Sequence, residues 1–150
     1  MDMIWKPRVT VAAVIEDTGR FLLVEERIAG KRVYNQPAGH LEPGESLTEA
    51  VVRETLEETA WHFQPAALVG LYRWYHSEAD TTYLRVTFSG RGLFHEPGRQ
   101  LDEDIEGTVW LTAGEIREQA GKLRSPLVLK SIDDYLAGAA YPLALLADVE

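Results

Sequence analysis

A chain of 150 residues, 45% of them hydrophobic and none of them cysteine, can bury one full core but offers no disulfide and no thiolate nucleophile. These figures lead us to expect a single domain over residues 1–150, a monomer or small homo-oligomer, in a reducing, cytoplasmic setting. A net charge of −9 argues against polymeric nucleic acid as a partner, and neither a signal-peptide-like N-terminus nor an apolar run of membrane-spanning length is present.

Taken in chain order, Val9-Thr10-Val11-Ala12-Ala13-Val14-Ile15 reads as a strand. Asp17-Thr18-Gly19-Arg20 reads as a turn into a second strand over 21–26, which together suggest a hairpin. The segment from Asn35 to Gly44 is rich in glycine and proline, and its glycines permit positive φ and close approach of backbone to a ligand. Such a loop can fold around a phosphate. Asn35, Gly39 and His40 are candidate substrate contacts on it, with Tyr34 either lining the same pocket or ending a strand.

A helix should follow from Leu47. Ser46 and Glu49 make a capping box, and Leu47, Ala50 and Val51 begin an apolar stripe. At about 100° per residue, Glu54, Glu57 and Glu58 extend that stripe instead of opposing it, so their carboxylates are expected to point toward the protein body. Glu54 and Glu58 form a like-charged i, i+4 pair, unfavourable by roughly 0.2–0.5 kcal/mol. Acids near a helix C-terminus also oppose the macrodipole, by roughly 0.3–1 kcal/mol each. A divalent cation reverses both penalties, and an all-oxygen ligand set favours Mg²⁺ or Mn²⁺. A small phosphorylated substrate is compatible with the negative chain because such an ion supplies the missing positive charge.

Further strands are expected over 67–75, 82–90 and 107–111, with Thr112-Ala113-Gly114-Glu115 opening a helix and another helix over 125–135. Tyr72 and Trp74 share a strand face and serve either as core or as a stacking surface for a base. The acidic segment 101–107 precedes the strand that carries Trp110. His40, His62, His76 and His95 show no metal-ligand spacing. The element pattern gives a mixed α/β (α+β) chain with a mixed β-sheet between helices.

Gly39, five residues, Glu45, seven residues, Arg53-Glu54, two residues, Glu57-Glu58 and Trp61 resemble the signature of the Nudix hydrolases, G-x5-E-x7-R-E-U-x-E-E-x-G-U, where U is apolar. Thr55 and Ala60 depart from it, at an aliphatic and a glycine position; Ala60 leaves the helix without its usual left-handed glycine cap. The resemblance implies an αβα sandwich in which Glu54, Glu57 and Glu58 hold the metal. It also implies that Arg53 and Glu45 pair to hold the loop against the helix, and that one further carboxylate, Asp104 or Glu106, is recruited from outside the motif. Short blocks at 9–12, 35–42, 123–128 and 141–143 are similar to the NudJ-type phosphatase branch. That likeness implies release of orthophosphate from nucleoside di- and triphosphates and from thiamine-type or hydroxymethylpyrimidine pyrophosphates, with Arg124 either a phosphate contact or a surface arginine. Two other readings are an ADP-ribose or nucleoside-diphosphate-sugar pyrophosphatase and a non-hydrolytic sensor of nucleotides or metabolites.

Overall fold

The apolar run near the N-terminus becomes the middle of β1 (Arg8–Asp17), and it is buried on both faces because each face of the sheet carries its own core. Val11, Ala13 and Ile15 turn toward a cluster that includes Leu22, Ala50, Val51 and Phe88, whereas Val14 joins Phe21, Leu23, Ile116, Val128 and Ile132 on the other side. This is the period-two geometry of a strand sandwiched between layers. Each fully buried side chain of that size contributes about 1.5–3 kcal/mol, so both helical layers are held by the sheet.

The computed structural model describes residues 3–150. After β1 come β2 (Arg20–Ile28), β3 (Lys31–Asn35), β4 (Ala38–His40) and helix α1 (Leu47–Thr59). Then follow β5 (Trp61–His76), β6 (Thr81–His95), β7 (Ile105–Thr112), α2 (Ala113–Glu118) and α3 (Leu127–Leu136). The sheet runs β3-β2-β1-β6-β5, with β4 attached to β1 and β7 to β2. β1 and β6 are parallel from Arg8↔Tyr83 to Ile15↔Gly90, while the other pairs are antiparallel, which makes the sheet mixed. With α1 against one core and α2 and α3 against the other, the expected αβα sandwich is observed. Among the described residues no helix is long and apolar enough to cross a membrane.

The first hairpin is shorter than the sequence suggests. Thr18 (φ 53°) and Gly19 (φ 81°) form a tight turn of the primed kind, but only Glu16↔Phe21 and Asp17↔Arg20 pair across it. Beyond that point β2 leaves to pair with β3 and β7, and β4, inside the glycine-rich loop, takes its place along Thr10, Val11 and Ala12. The sheet therefore forks, and the loop enters the fork. The long β5–β6 ribbon also outruns expectation. Gly90, where the strand was expected to stop, lies within β6 because the missing Cβ admits the backbone of β5: a Cβ there would stand 2.0 Å from the carbonyl oxygen of Gln64.

Candidate active site

Helix α1 begins at Leu47 as expected, with Ser46 Oγ accepting from the Glu49 amide at 3.0 Å and Glu49 Oε1 accepting from the Ser46 amide at 2.9 Å. Its buried face comprises Ala50, Val51, Glu54, Thr55, Glu58 and Thr59, so two of the three motif acids do continue the core face. At the other end Ala60 adopts the left-handed conformation (φ 63°, ψ 14°) and its amide donates to Leu56 O at 2.9 Å. The glycine-type cap is thus built on an alanine, at a cost of about 1 kcal/mol. Two amides from the connector between β6 and β7 close further carbonyls here: Asp102 N donates to Glu57 O at 3.0 Å and Glu96 N to Ala60 O at 2.9 Å.

That connector delivers an acid. Glu54, Glu57 and Asp102 each bring one carboxylate oxygen within 4.8 Å of the others. Glu58 stands beside them, its Oε1 accepting from the Ala38 amide at 2.8 Å. Burial pushes the Glu54 carboxyl up to about 7 against the opposing pull of Arg53. Burial pushes Glu58 up to about 9, offset in part by the Ala38 amide and reinforced by Glu54, Glu26 and Asp102. Buried acids with raised proton affinity, crowded by other acids, hold charge comfortably only with a cation among them. The donors are all oxygens, which fits a hard divalent ion.

Of the expected further ligands, Asp104 lines the cleft that contains Glu54 and Glu58. Glu106 does not join it: exposed on β7, it pairs with Arg27 and Arg32, and those guanidiniums hold its carboxyl below the usual range. Asp102, in the same acidic segment, occupies the position by the helix instead.

Arg53 lies beside the cluster. It makes a two-point pair with Glu45, Nε to Oε2 at 2.9 Å and Nη2 to Oε1 at 2.7 Å. Its Nη2 also donates to His40 O at 3.0 Å, and Nη1 to Glu54 at 2.9 Å and Glu57 at 3.3 Å. Glu45 in turn accepts from the Glu42 amide at 2.8 Å, and its pairing with Arg53 keeps its carboxyl below the usual range. One guanidinium thus ties the loop to the helix and orients two carboxylates of the cluster. Gly39 sits where the two meet: a Cβ on it would lie 2.0 Å from the Glu54 carboxyl carbon. Its φ is not positive, so the residue is needed for space and not for turn geometry.

Glu54 and Glu58 open onto a cleft of about 630 Å³ whose walls include Asn35, Gly39, His40, Trp74, Tyr83 and Arg124. His40 is exposed at its rim, and its imidazole titrates below the usual value through desolvation and the charges of Arg8 and Arg124. Arg124 Nη1 donates to the buried Glu26 at 2.7 Å. Trp74 and Tyr72 divide the two roles open to them. Trp74 lies in the cleft wall, its ring stacked with those of His76 at 4.8 Å and Tyr83 at 5.5 Å, whereas Tyr72 donates its hydroxyl to Asp134 at 2.7 Å and ties β5 to α3. The sequence did not single out Arg85, which lies at the cleft with its side chain in the sheet interior and donates to Asn35 Oδ1 at 3.2 Å. In the sequence Tyr83, Arg85, Thr87 and Ser89 alternate with apolar residues as a polar strip of the kind a half-exposed strand turns to solvent, whereas in the fold Arg85, Thr87 and Ser89 are buried.

Residues 6–130 match the NUDIX domain. The chain is 44% identical over 144 residues to a protein of Escherichia coli (strain K12) named Phosphatase NudJ, spanning 96% of this chain and 93% of that protein. A structure described as a NUDIX hydrolase from Nitrosomonas europaea superposes with a TM-score of 0.94 at 50% identity, over 96% of this chain and 98% of that one. An ADP-ribose pyrophosphatase from Streptococcus suis shares the fold at TM-score 0.67 and 17% identity, covering 91% of this chain and 96% of the other.

Proposed function

The chain belongs to the NUDIX family of hydrolases, and on that premise we propose that it hydrolyses phosphoanhydride bonds in small diphosphates and triphosphates with the help of Mg²⁺ or Mn²⁺. Orthophosphate is the released product, and nucleoside di- and triphosphates and thiamine-type or hydroxymethylpyrimidine pyrophosphates are the substrate class. The observation that carries this reading is the convergence of Glu54, Glu57 and Asp102, one oxygen each within 4.8 Å, beside a cleft large enough for such a substrate.

When bound, the divalent ion supplies Lewis acidity to phosphate oxygens and lowers the pKa of water. Glu54, Glu57 and Asp102 would hold it, and Glu58 and Asp104 line the cleft that Glu54 shares. With the cation keeping it ionised, Glu58 would accept the proton of the attacking water. Arg53 orients the carboxylates of Glu54 and Glu57 and ties them to the loop through His40 O. Trp74, His76 and Tyr83, all in the cleft wall, would give an aromatic side to a heterocyclic leaving group.

The test is a phosphate-release screen over a panel of diphosphates and triphosphates, with and without Mg²⁺ and with products identified. Orthophosphate released only with the metal is the expected result. A nucleoside monophosphate plus a sugar phosphate would instead mark an ADP-ribose type of pyrophosphatase, and saturable binding without turnover would mark a sensor. Glu57→Gln is expected to reduce turnover to background while the protein stays folded by circular dichroism; near-normal Mg²⁺-dependent rates would remove Glu57 from the ligand set.

A further inference from the structure

We infer that Arg85 is a substrate-binding residue whose guanidinium takes phosphate oxygens of the diphosphate in the cleft that also holds Glu54 and Glu58, an assignment that rests on the reaction proposed above. Arg85 sits on β6 opposite Thr10 of β1 and Tyr72 of β5, in the body of the sheet, and it is only 4% exposed. A guanidinium carries five N–H donors. Two of them reach neutral acceptors, Asn35 Oδ1 at 3.2 Å and Gln36 Oε1 at 3.4 Å, while Nε has no partner at all.

No carboxylate stands within 4.0 Å of Arg85 among the described residues. A buried cation without a counter-ion is unfavourable, and arginine cannot escape by shedding its proton in the physiological range. Burial draws its pKa down to about 10, with Glu58 and Glu26 compensating at longer range and Arg124 opposing them. The residue is nonetheless held firmly in place. Gln36 is fully buried and pinned by its own Nε2 donating to Val128 O at 2.9 Å, so its Oε1 offers Arg85 a fixed acceptor. Arg85 therefore has the properties of a preorganised anion receptor: charge, a fixed orientation, an Nη1 that bonds no protein group among the described residues and a place in the same cleft as Glu54, Glu58 and Arg124. Arg124, already engaged with Glu26, lies toward the outer edge with a half-exposed side chain.

The test uses methylenebisphosphonate, a diphosphate that cannot be hydrolysed, titrated calorimetrically into the wild-type chain, Arg85→Gln and Arg85→Lys in the presence of Mg²⁺, with a thermal melt of each. Arg85→Gln is expected to weaken binding roughly 10- to 100-fold through the lost charge-assisted hydrogen bonds, without lowering the Tm, because it removes an unpaired buried charge. Arg85→Lys keeps the charge but loses the fork, and should fall between the two. Wild-type affinity in a folded Arg85→Gln overturns the inference, as does a wild-type chain that fails to bind the probe. If Arg85→Gln does not fold, the comparison passes to Arg85→Lys, where unchanged affinity overturns it equally. A chain that binds the probe through Arg85 but releases no phosphate would refute the proposed reaction and leave the anion site standing. Turnover with an affinity indifferent to Arg85 would do the reverse.

Discussion

At Gly39 a single added methyl would collide with the carboxyl group of Glu54, since its position lies 2.0 Å from the carboxyl carbon. The obstacle is the far end of a flexible side chain, so Gly39→Ala should fold normally and displace Glu54 from its place beside Glu57. The expected outcome is a roughly 10- to 100-fold loss of apparent Mg²⁺ affinity, the usual scale for disturbing a ligand's support, with a Tm within a few degrees of wild type. A Mg²⁺ titration of activity beside a melt checks this, and unaltered affinity would show that Glu54 does not depend on the glycine. At this scale the sequence was most informative where spacing along one helix brings groups together, as at Glu54, Glu57 and Glu58. It was least informative where the partner comes from far along the chain. Asp102 was passed over in favour of Asp104 and Glu106, because what brings it to the helix is a backbone bond from its amide to Glu57 O that no local pattern announces. Arg85 was passed over because a charge in an alternating strand reads as solvent-facing, and nothing local reveals that a loop and a helix cover that face.

Among the elements, α1 was legible nearly to the residue, its start fixed by the capping box and its inward acids by the apolar stripe. Its end was less certain, since alanine is a poor left-handed cap and nothing in the local pattern compels it there. Ala60→Gly should relieve that strain. The expected gain is about 1 kcal/mol before the flexibility glycine adds to the unfolded chain is subtracted, hence a rise of about 2–4 °C or somewhat less for a protein of this size. Differential scanning calorimetry reads it, and a lower Tm would mean that packing of the Ala60 methyl outweighs the backbone term. Of the strands from 31 to 40 the sequence offered only an end near Tyr34 and nothing for β4, because both are short and glycine- or proline-flanked and exist through pairing with β2 and β1 and not through their own propensity. β5 and β6 were placed correctly but drawn too short. Their outer halves depend on bulges and on close backbone contact at Gly90, which alternation does not encode.

For the molecule as a whole, the buried acids make stability depend on pH in a direction that a divalent ion should reverse. Glu54 and Glu58 have folded-state values of about 7 and about 9 against a reference of 4.5, so between those limits the folded chain binds more protons than the unfolded one. Without metal, their contribution is complete at acid pH and is lost as the pH climbs through 7 and then toward 9. Mg²⁺ competes with protons for the same oxygens. The Tm difference between saturating Mg²⁺ and EDTA should therefore widen from pH 5 to pH 8.5. Acids with lowered values, such as Glu45, shift both curves alike and drop out of the difference. A gap that is flat or narrows with pH would contradict the buried-acid account. The layered class of the fold could be read from the order of elements, whereas the fork between β1 and β2 could not, because it arises from which edge each strand finally meets. The two amides that fasten the β6–β7 connector onto the end of α1 have a mechanical result: Asp102 is bolted to the helix that bears Glu54 and Glu57, and the chelating corner moves as one stiff block. The aromatic side of the cleft belongs to β5 and β6, so it can be re-cut to suit a differently shaped leaving group without altering the spacing of the claws.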